Sequence, residues 1–309
     1  MAPLSSFRSS GDLLADRRYA HAEAAMKEGD HAAAADLARQ CLELAPAFAP
    51  AHALLGRARA ALGQRDAAVA ALARALDLDP DDALGVRIDL ARLGALPTDE
   101  VIGAGYVRAL FDDYAATFDK HLVRNLNYRG PELLRAAVRR ARAAYGQKLW
   151  CERVLDLGCG TGLVGQAFAG AYAAIEGVDL SPRMLAVART TRLYDGLHEG
   201  DLLGFLKGQT DRTADLVVAA DVFVYMAALD DVFSEVHRVL MRGGLFAFTV
   251  QAHAGGGVIL GEDSRYAHGE PYLRDLAAQT GFSVVLFEAV STRQDRGVDV
   301  PGFLLVLER

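Results

Sequence analysis

The chain has 309 residues, 52% of them hydrophobic, and a formal net charge of −7, which allows one large domain plus a smaller one and argues against a duplex nucleic-acid binder, since phosphates call for a basic surface. Met1–Gly11 carries no long apolar region, and neither a membrane span nor a secretory signal is expected. Three scattered cysteines, Cys41, Cys151 and Cys159, point away from a disulfide framework and toward a cytoplasmic protein, and no Cys/His spacing fits a metal site.

Residues 12–95 read as helices, rich in Ala and Leu and poor in β-branched residues. They repeat at a spacing of 34: Gly29 and Gly63, Pro46 and Pro80, Ala34 and Ala68, Cys41 and Ala75. Glycine in the hairpin turn, proline after the second helix and the pair Leu55-Gly56 resemble tetratricopeptide (TPR) repeats, although the first repeat lacks the large aromatics. Small residues at Ala34, Ala68 and Ala75 suit close helix crossings, and residues 83–93 predict a further helix capping the second repeat. Two uses stay open. The helices pack on the rest of the chain or on a second copy of it, or they dock a separate protein partner.

Residues 96–130 read as a linker, with Pro97, Gly103 and Gly105, followed by a lid helix. Phe111, Tyr114, Phe118, His121 and Leu122 fall at helical spacing between Tyr106 and Leu126 and form one aromatic face, either packed on a core or closing over a ligand. Arg139, Arg140 and Arg142 read as a solvated helix face. From residue 131 to 309 helices and strands alternate. Helices are expected at 131–144, 162–170, 182–190, 229–239 and 270–280. Strands are expected at 153–157, 174–178, 196–199, 215–220, 244–250, 283–290 and 302–308. Such alternation implies a mostly parallel sheet with right-handed crossovers, here ending on two successive strands.

The first of these strands runs into Val154-Leu155-Asp156-Leu157-Gly158-Cys159-Gly160-Thr161-Gly162, and the second ends at Asp179. A strand, a glycine turn opening a helix, and an acid on the next strand form the half-site for an adenosine-containing cofactor. A dinucleotide fingerprint would need glycine at position 163, where Leu163 stands; the glycines fall instead as G-x-G-x-G. Over residues 105–309 this resembles motif I of the class I S-adenosylmethionine (SAM) methyltransferases. The resemblance implies an α/β, Rossmann-like domain with a mostly parallel seven-stranded sheet, its last strand antiparallel, behind an all-α TPR domain. It also implies SAM as cofactor. Gly158, Gly160 and Gly162 allow close backbone approach, with Cys159 and Thr161 between them. Asp156 orients the turn or the cofactor's ammonium group, and Asp179, with Leu180, takes the ribose hydroxyls. Ser181-Pro182 reads as N-cap and first helical residue. Met184 lies against adenine or in the core. Asp201-Leu202 meets the adenine edge or only caps a helix. Ala220 and Asp221 border the reacting methyl, and Tyr114-Ala115-x-x-Phe118-Asp119 resembles the lid of small-molecule methyltransferases.

Candidates for a general base are Tyr225, His253, and the cluster Arg265, Tyr266 and His268. The stretches Ser264–His268, Tyr272–Phe282 and Arg296–Leu304 resemble a bacterial group of TPR-containing methyltransferases, in which the loop from Ala252 to Gly269 lies where substrate enters, and Gly255, Gly256 and Gly257 suggest that this loop is mobile. No Pro-Pro pair follows Asp221, which disfavours nucleobase or glutamine amino groups. The expected function is methyl transfer to O or N of a small-molecule acceptor. The alternatives are a protein methyltransferase docked through its repeats and a non-catalytic SAM-binding scaffold.

Overall fold

The computed structural model describes residues 9–99, 101–115, 118, 127–295 and 297–309. Asp119, His121, Leu122 and Leu126 of the expected lid helix, and Arg296, lie outside them. The chain divides into two compact units, Met1–Asp113 and Tyr114–Arg309.

In the first unit, helices run over Leu13–Glu28, His31–Leu44, Ala49–Ala61, Arg65–Leu78 and Val86–Arg92. Asp12 caps the first by accepting from the N–H groups of Leu14 and Ala15, and Asp30 caps the second through Ala33 N–H. Gly29 and Gly63 turn the hairpins at φ +82° and +75°, conformations that favour glycine. The small residues do what their spacing implies: Ala34, Cys41, Ala68 and Ala75 are fully buried. A Cβ on Gly56 would lie 2.5 Å from Leu72 Cγ, so this glycine lets two helices close up. The capping helix starts later than the expected residue 83. Asp82 and Gly85 both adopt positive φ, and the Asp82 carboxylate accepts from Val86 and Arg87 N–H. A helix at Ala104–Tyr114 follows.

The second unit is built on strands β1 (Cys151–Leu157), β2 (Tyr172–Asp179), β3 (Gly196–Glu199), β4 (Ala214–Ala219) and β5 (Leu240–His253). Two short strands follow, β6 (Val258–Leu260) and β7 (Tyr266–Gly269), and then β8 (Ser283–Val290). The chain ends through β9 (Gln294–Asp295), β10 (Val298–Asp299) and β11 (Gly302–Glu308). The main sheet has the order β3-β2-β1-β4-β5-β11-β8. Neighbours from β3 to β5 are parallel, and β11 is antiparallel to both β5 and β8. The seven expected strands all appear. β5 is longer than expected because it carries a bulge near Gly243 (φ +75°), where its pairing with β4 slips register and then resumes. The helix after the glycine turn covers only Leu163–Ala167, since Gly162 at φ +94° stays outside it.

Side chains alternate across the strands. Leu155, Leu157, Val217, Ala219, Phe246 and Phe248 enter one core. There Phe233 meets Phe246 and Phe248 edge-on, with centroids 5.3 and 5.4 Å apart. Val154, Leu216, Val218, Leu245 and Ala247 enter the opposite core, under the helix Gly130–Ala144.

A departure from expectation lies at 252–269. In place of an open loop, β6 and β7 form a hairpin, and β7 pairs in parallel with the end of β5 at Gln251–His253. A second small hairpin, β9 with β10, precedes β11.

Candidate functional site

The carboxyl ends of parallel strands carry the loops that face a ligand, and the sequence candidates collect there. Gly158, Gly160 and Gly162 hold φ of +68°, +53° and +94°. A Cβ on Gly158 would stand 2.5 Å from Val222 Cγ2, and one on Gly162 would stand 3.1 Å from the Tyr194 ring, so the turn requires glycine on two grounds. Cys159 and Thr161 are buried, and Cys159 N–H donates to Val178 O at 2.9 Å. Asp179 ends β2 beside the turn. Its Oδ2 accepts from Gly160 N–H at 2.9 Å and its Oδ1 from Ser181 N–H at 2.8 Å. The Phe118 ring reaches 4.0 Å from the Cβ position of Gly160 and meets Tyr114 edge-to-face at 5.3 Å, an aromatic pair standing over the turn.

Other candidates are committed to the chain itself. Met184 is wholly enclosed and offers no surface to an adenine. Its N–H is capped by Ser181 Oγ, which starts the helix Pro182–Thr191 as the Ser-Pro pair predicts. Asp201 Oδ1 accepts from Gly204 N–H at 2.8 Å and N-caps the helix Leu202–Lys207. Leu202 leans on the core, while Leu180 and Ala220 remain half-buried at their strand ends.

Asp156 is fully buried on the opposite face of β1 from Leu155 and Leu157. Tyr194 donates to its Oδ2 at 2.6 Å, and Oδ1 has no hydrogen-bond partner among the described residues. Burial lifts its pKa to about 7 against the pull of the Tyr194 hydroxyl, and the nearby Asp179 adds to the rise. Tyr194 was not legible as a site residue, because it belongs to no motif.

At the end of β4, Asp221 adopts φ +55°, an unusual conformation for a residue other than glycine. Three side chains hold it. Its N–H donates to Thr249 Oγ1, and its carboxylate accepts from Thr249, Thr292 and Arg293 at 2.9–3.0 Å. The Arg293 guanidinium also donates to Gln251 Oε1 at 2.8 Å and is 5% exposed. The Asp221 side chain is therefore committed to a mostly buried ion pair. Thr249, Gln251, Thr292 and Arg293 carry no sequence signal for this role, because they lie 28 to 72 positions from Asp221.

The five candidate bases separate clearly. His253 spends both ring nitrogens on its own turn, with Nε2 donating to Gly257 O at 2.7 Å and Nδ1 accepting from Gly255 N–H at 2.9 Å. It stiffens the glycine run that the sequence suggested was mobile. His268 is wholly buried on β7, its Nε2 donating to Met226 O at 3.1 Å. Burial lowers its pKa to about 4, so it stays neutral. Tyr266 is buried as well. Tyr225 and Arg265 keep exposed surface and lie together, the Arg265 Cζ 6.0 Å from the Tyr225 centroid. Burial opposes the Arg265 charge, but contact with Tyr225, then Asp263 and Asp221, outweighs it and raises its pKa. Among the described residues no cluster of His, Cys, Asp or Glu is placed to hold a metal ion, and no helix is long and apolar enough to cross a membrane.

Residues 155–248 match the family model described as methyltransferase domain, and residues 25–93 match that of the tetratricopeptide repeat. A malonyl-[acyl-carrier protein] O-methyltransferase of Geobacter sulfurreducens is 33% identical over 147 residues, 43% of this chain and 54% of that protein. A ubiquinone biosynthesis O-methyltransferase of Burkholderia cenocepacia is 28% identical over 101 residues, 32% of this chain and 44% of that protein. The chain thus spans about half the length of these relatives, or less. Among solved structures, the 1,6-didemethyltoxoflavin-N1-methyltransferase of Burkholderia thailandensis superposes with a TM-score of 0.50 at 17% identity, covering 66% of this chain and 88% of that one, which supports the fold alone. Residues 155–248 are an S-adenosylmethionine-dependent methyltransferase domain, and residues 25–93 are a tetratricopeptide-repeat region.

Proposed function

From a methyltransferase domain at 155–248 behind a tetratricopeptide-repeat region at 25–93, we propose that the chain transfers a methyl group from SAM to an oxygen or nitrogen of a small-molecule acceptor. The observation that carries this reading is the glycine turn, with three positive-φ glycines and Asp179 fastened to Gly160 N–H. The cofactor supplies an activated methyl carbon; the protein's task is alignment and the exclusion of competing water. Asp179 takes the ribose hydroxyls, and the turn's backbone approaches the amino-acid end. Tyr114 and Phe118 cover the cofactor. Tyr225 and Arg265 border the acceptor, Tyr225 as the group to take a proton and Arg265 as the group that orients it.

A small acceptor is favoured by the lack of a proline pair after Asp221, and transfer to oxygen by the names of the two relatives, both O-methyltransferases, one of them acting on a group held by a carrier protein. The repeat region favours a second reading, a protein acceptor docked on the helices. Calorimetric titration of the full chain with S-adenosylhomocysteine tests the cofactor site, with NAD and Asp179→Ala as controls. Saturable binding by the native chain, weakened at least tenfold in D179A and absent for NAD, is the expected outcome. Binding of NAD in its place would overturn the reading. Turnover on free small acceptors by a chain lacking residues 1–95, itself shown to bind S-adenosylhomocysteine, would separate the small acceptor from the docked protein.

A further inference from the structure

The side chain under the glycine turn comes from a segment that carries no motif. Tyr194 lies in the connection between the helix Pro182–Thr191 and β3. Its hydroxyl donates to Asp156 Oδ2 at 2.6 Å and accepts from Gly165 N–H at 3.1 Å. Its ring fills the space that a Cβ on Gly162, Gly165 or Gly177 would enter, at 3.1, 2.8 and 3.0 Å. One residue therefore touches the end of β1, the turn, the helix after it and the middle of β2.

We propose that Tyr194 is a positioning residue for the cofactor turn, its hydroxyl holding Asp156 as a buried anion beneath the glycines and its ring fixing their height. The proposal rests on the SAM reading above. Asp156 is wholly buried and Tyr194 is its sole hydrogen-bond partner among the described residues, while its Oδ1 has none. The titratable groups around it are Asp179 at the end of β2, Cys159 in the turn, Tyr172 at the start of β2 and Tyr128 ahead of the helix Gly130–Ala144. Among the described residues none is a cation, and Asp179 opposes the charge, so the Tyr194 hydroxyl is the group among them that favours it. A negative centre under the turn attracts a ligand that brings an ammonium group to the turn's upper side, and protonation of Asp156 removes that attraction. A filler role would need only the ring. An anion-holding role needs the hydroxyl, and Tyr194→Phe separates the two.

The experiment is calorimetric titration of the full chain with S-adenosylhomocysteine from pH 5.5 to 9, for wild type, Y194F, Asp156→Asn and the double variant. Affinity of the wild type is expected to fall on acidification through about pH 7, where Asp156 gains its proton. Y194F should bind about threefold more weakly at pH 7.5 and move the inflection up by about one pH unit, the effect of losing one hydrogen bond to a charged group. D156N should flatten the profile, and adding Y194F to it should change little, since the two residues act as one unit. Wild-type affinity and pH profile in a folded Y194F, or losses that multiply independently in the double variant, would overturn the proposal. Should Y194F fail to fold, D156N carries the test, and a pH profile left unchanged by D156N overturns the proposal equally. A wild-type chain that binds no S-adenosylhomocysteine at any pH overturns the cofactor reading itself, whereas wild-type binding with a silent Y194F overturns the positioning role alone.

Discussion

Asp156 and His268 are both enclosed, and their protons respond to pH in opposite senses. The Asp156 carboxyl is raised from 3.8 to about 7, so the fold prefers its neutral form. That contribution is complete below the unfolded value and is lost as pH climbs through about 7, on the order of 4 kcal/mol across the interval. His268 is lowered from 6.5 to about 4, so its neutral form stabilises above 6.5 and the contribution is lost on acidification through 4. Urea unfolding at a series of pH values should show D156N gaining on wild type steadily from pH 4 to 7. His268→Gln should differ from wild type in slope only below about pH 6.5. If ionised Asp156 serves the cofactor, the free protein gives up stability near neutrality for it. The Asp221–Arg293 pair makes a second prediction at this scale. Arg293→Met leaves a carboxylate 15% exposed without its cation, and the thermal midpoint should drop by the equivalent of about 3–5 kcal/mol. The glycines and strand-end acids of this site were readable because motif and strand period are local. Tyr194, Thr249 and Arg293 were not, since what brings them together is the sheet, joining positions far apart in the chain.

Elements differ in how strongly they announce themselves. The seven central strands are long or flanked by clear helix patterns, and all were legible. β6 and β7, at three and four residues, are too short for alternation to register, and Gly255–Gly257 in front of them resembles an unstructured loop. What makes them strands is tertiary: β7 completes the edge of β5 over three residue pairs, and His253 locks the turn between β5 and β6. The glycine turn is the element where backbone and packing demands coincide. Gly158→Ala puts a Cβ against Val222 at 2.5 Å on a backbone of φ +68°. A loss of about 2–4 kcal/mol is expected in thermal unfolding, together with loss of S-adenosylhomocysteine binding in calorimetry. Retention of full affinity would show that the turn tolerates a shifted backbone.

Across the whole molecule the two units have separate interiors, one of alanine-rich helix crossings and one on the two faces of a sheet. Gly56→Ala should overpack the first by about 1–3 kcal/mol, because Leu72 occupies the space its methyl needs. Hydrogen exchange is expected to quicken over residues 13–92 while protection over 151–308 stays as in the wild type. Equal loosening of both spans would mean that the units unfold together.

The hairpin β6–β7 has a consequence beyond stability. It brings Arg265 beside Tyr225 and joins the sheet through Gln251–His253 paired with Ala267–Gly269. The glycine turn, Asp179 and Tyr194 belong to β1, β2 and their connections, at the other side of β4. On the proposed reading, exchanging this hairpin alters what the chain acts upon and leaves the donor side on β1 and β2 in place. Grafting the β6–β7 hairpin between relatives tests that separation, through a change of acceptor with S-adenosylhomocysteine binding kept.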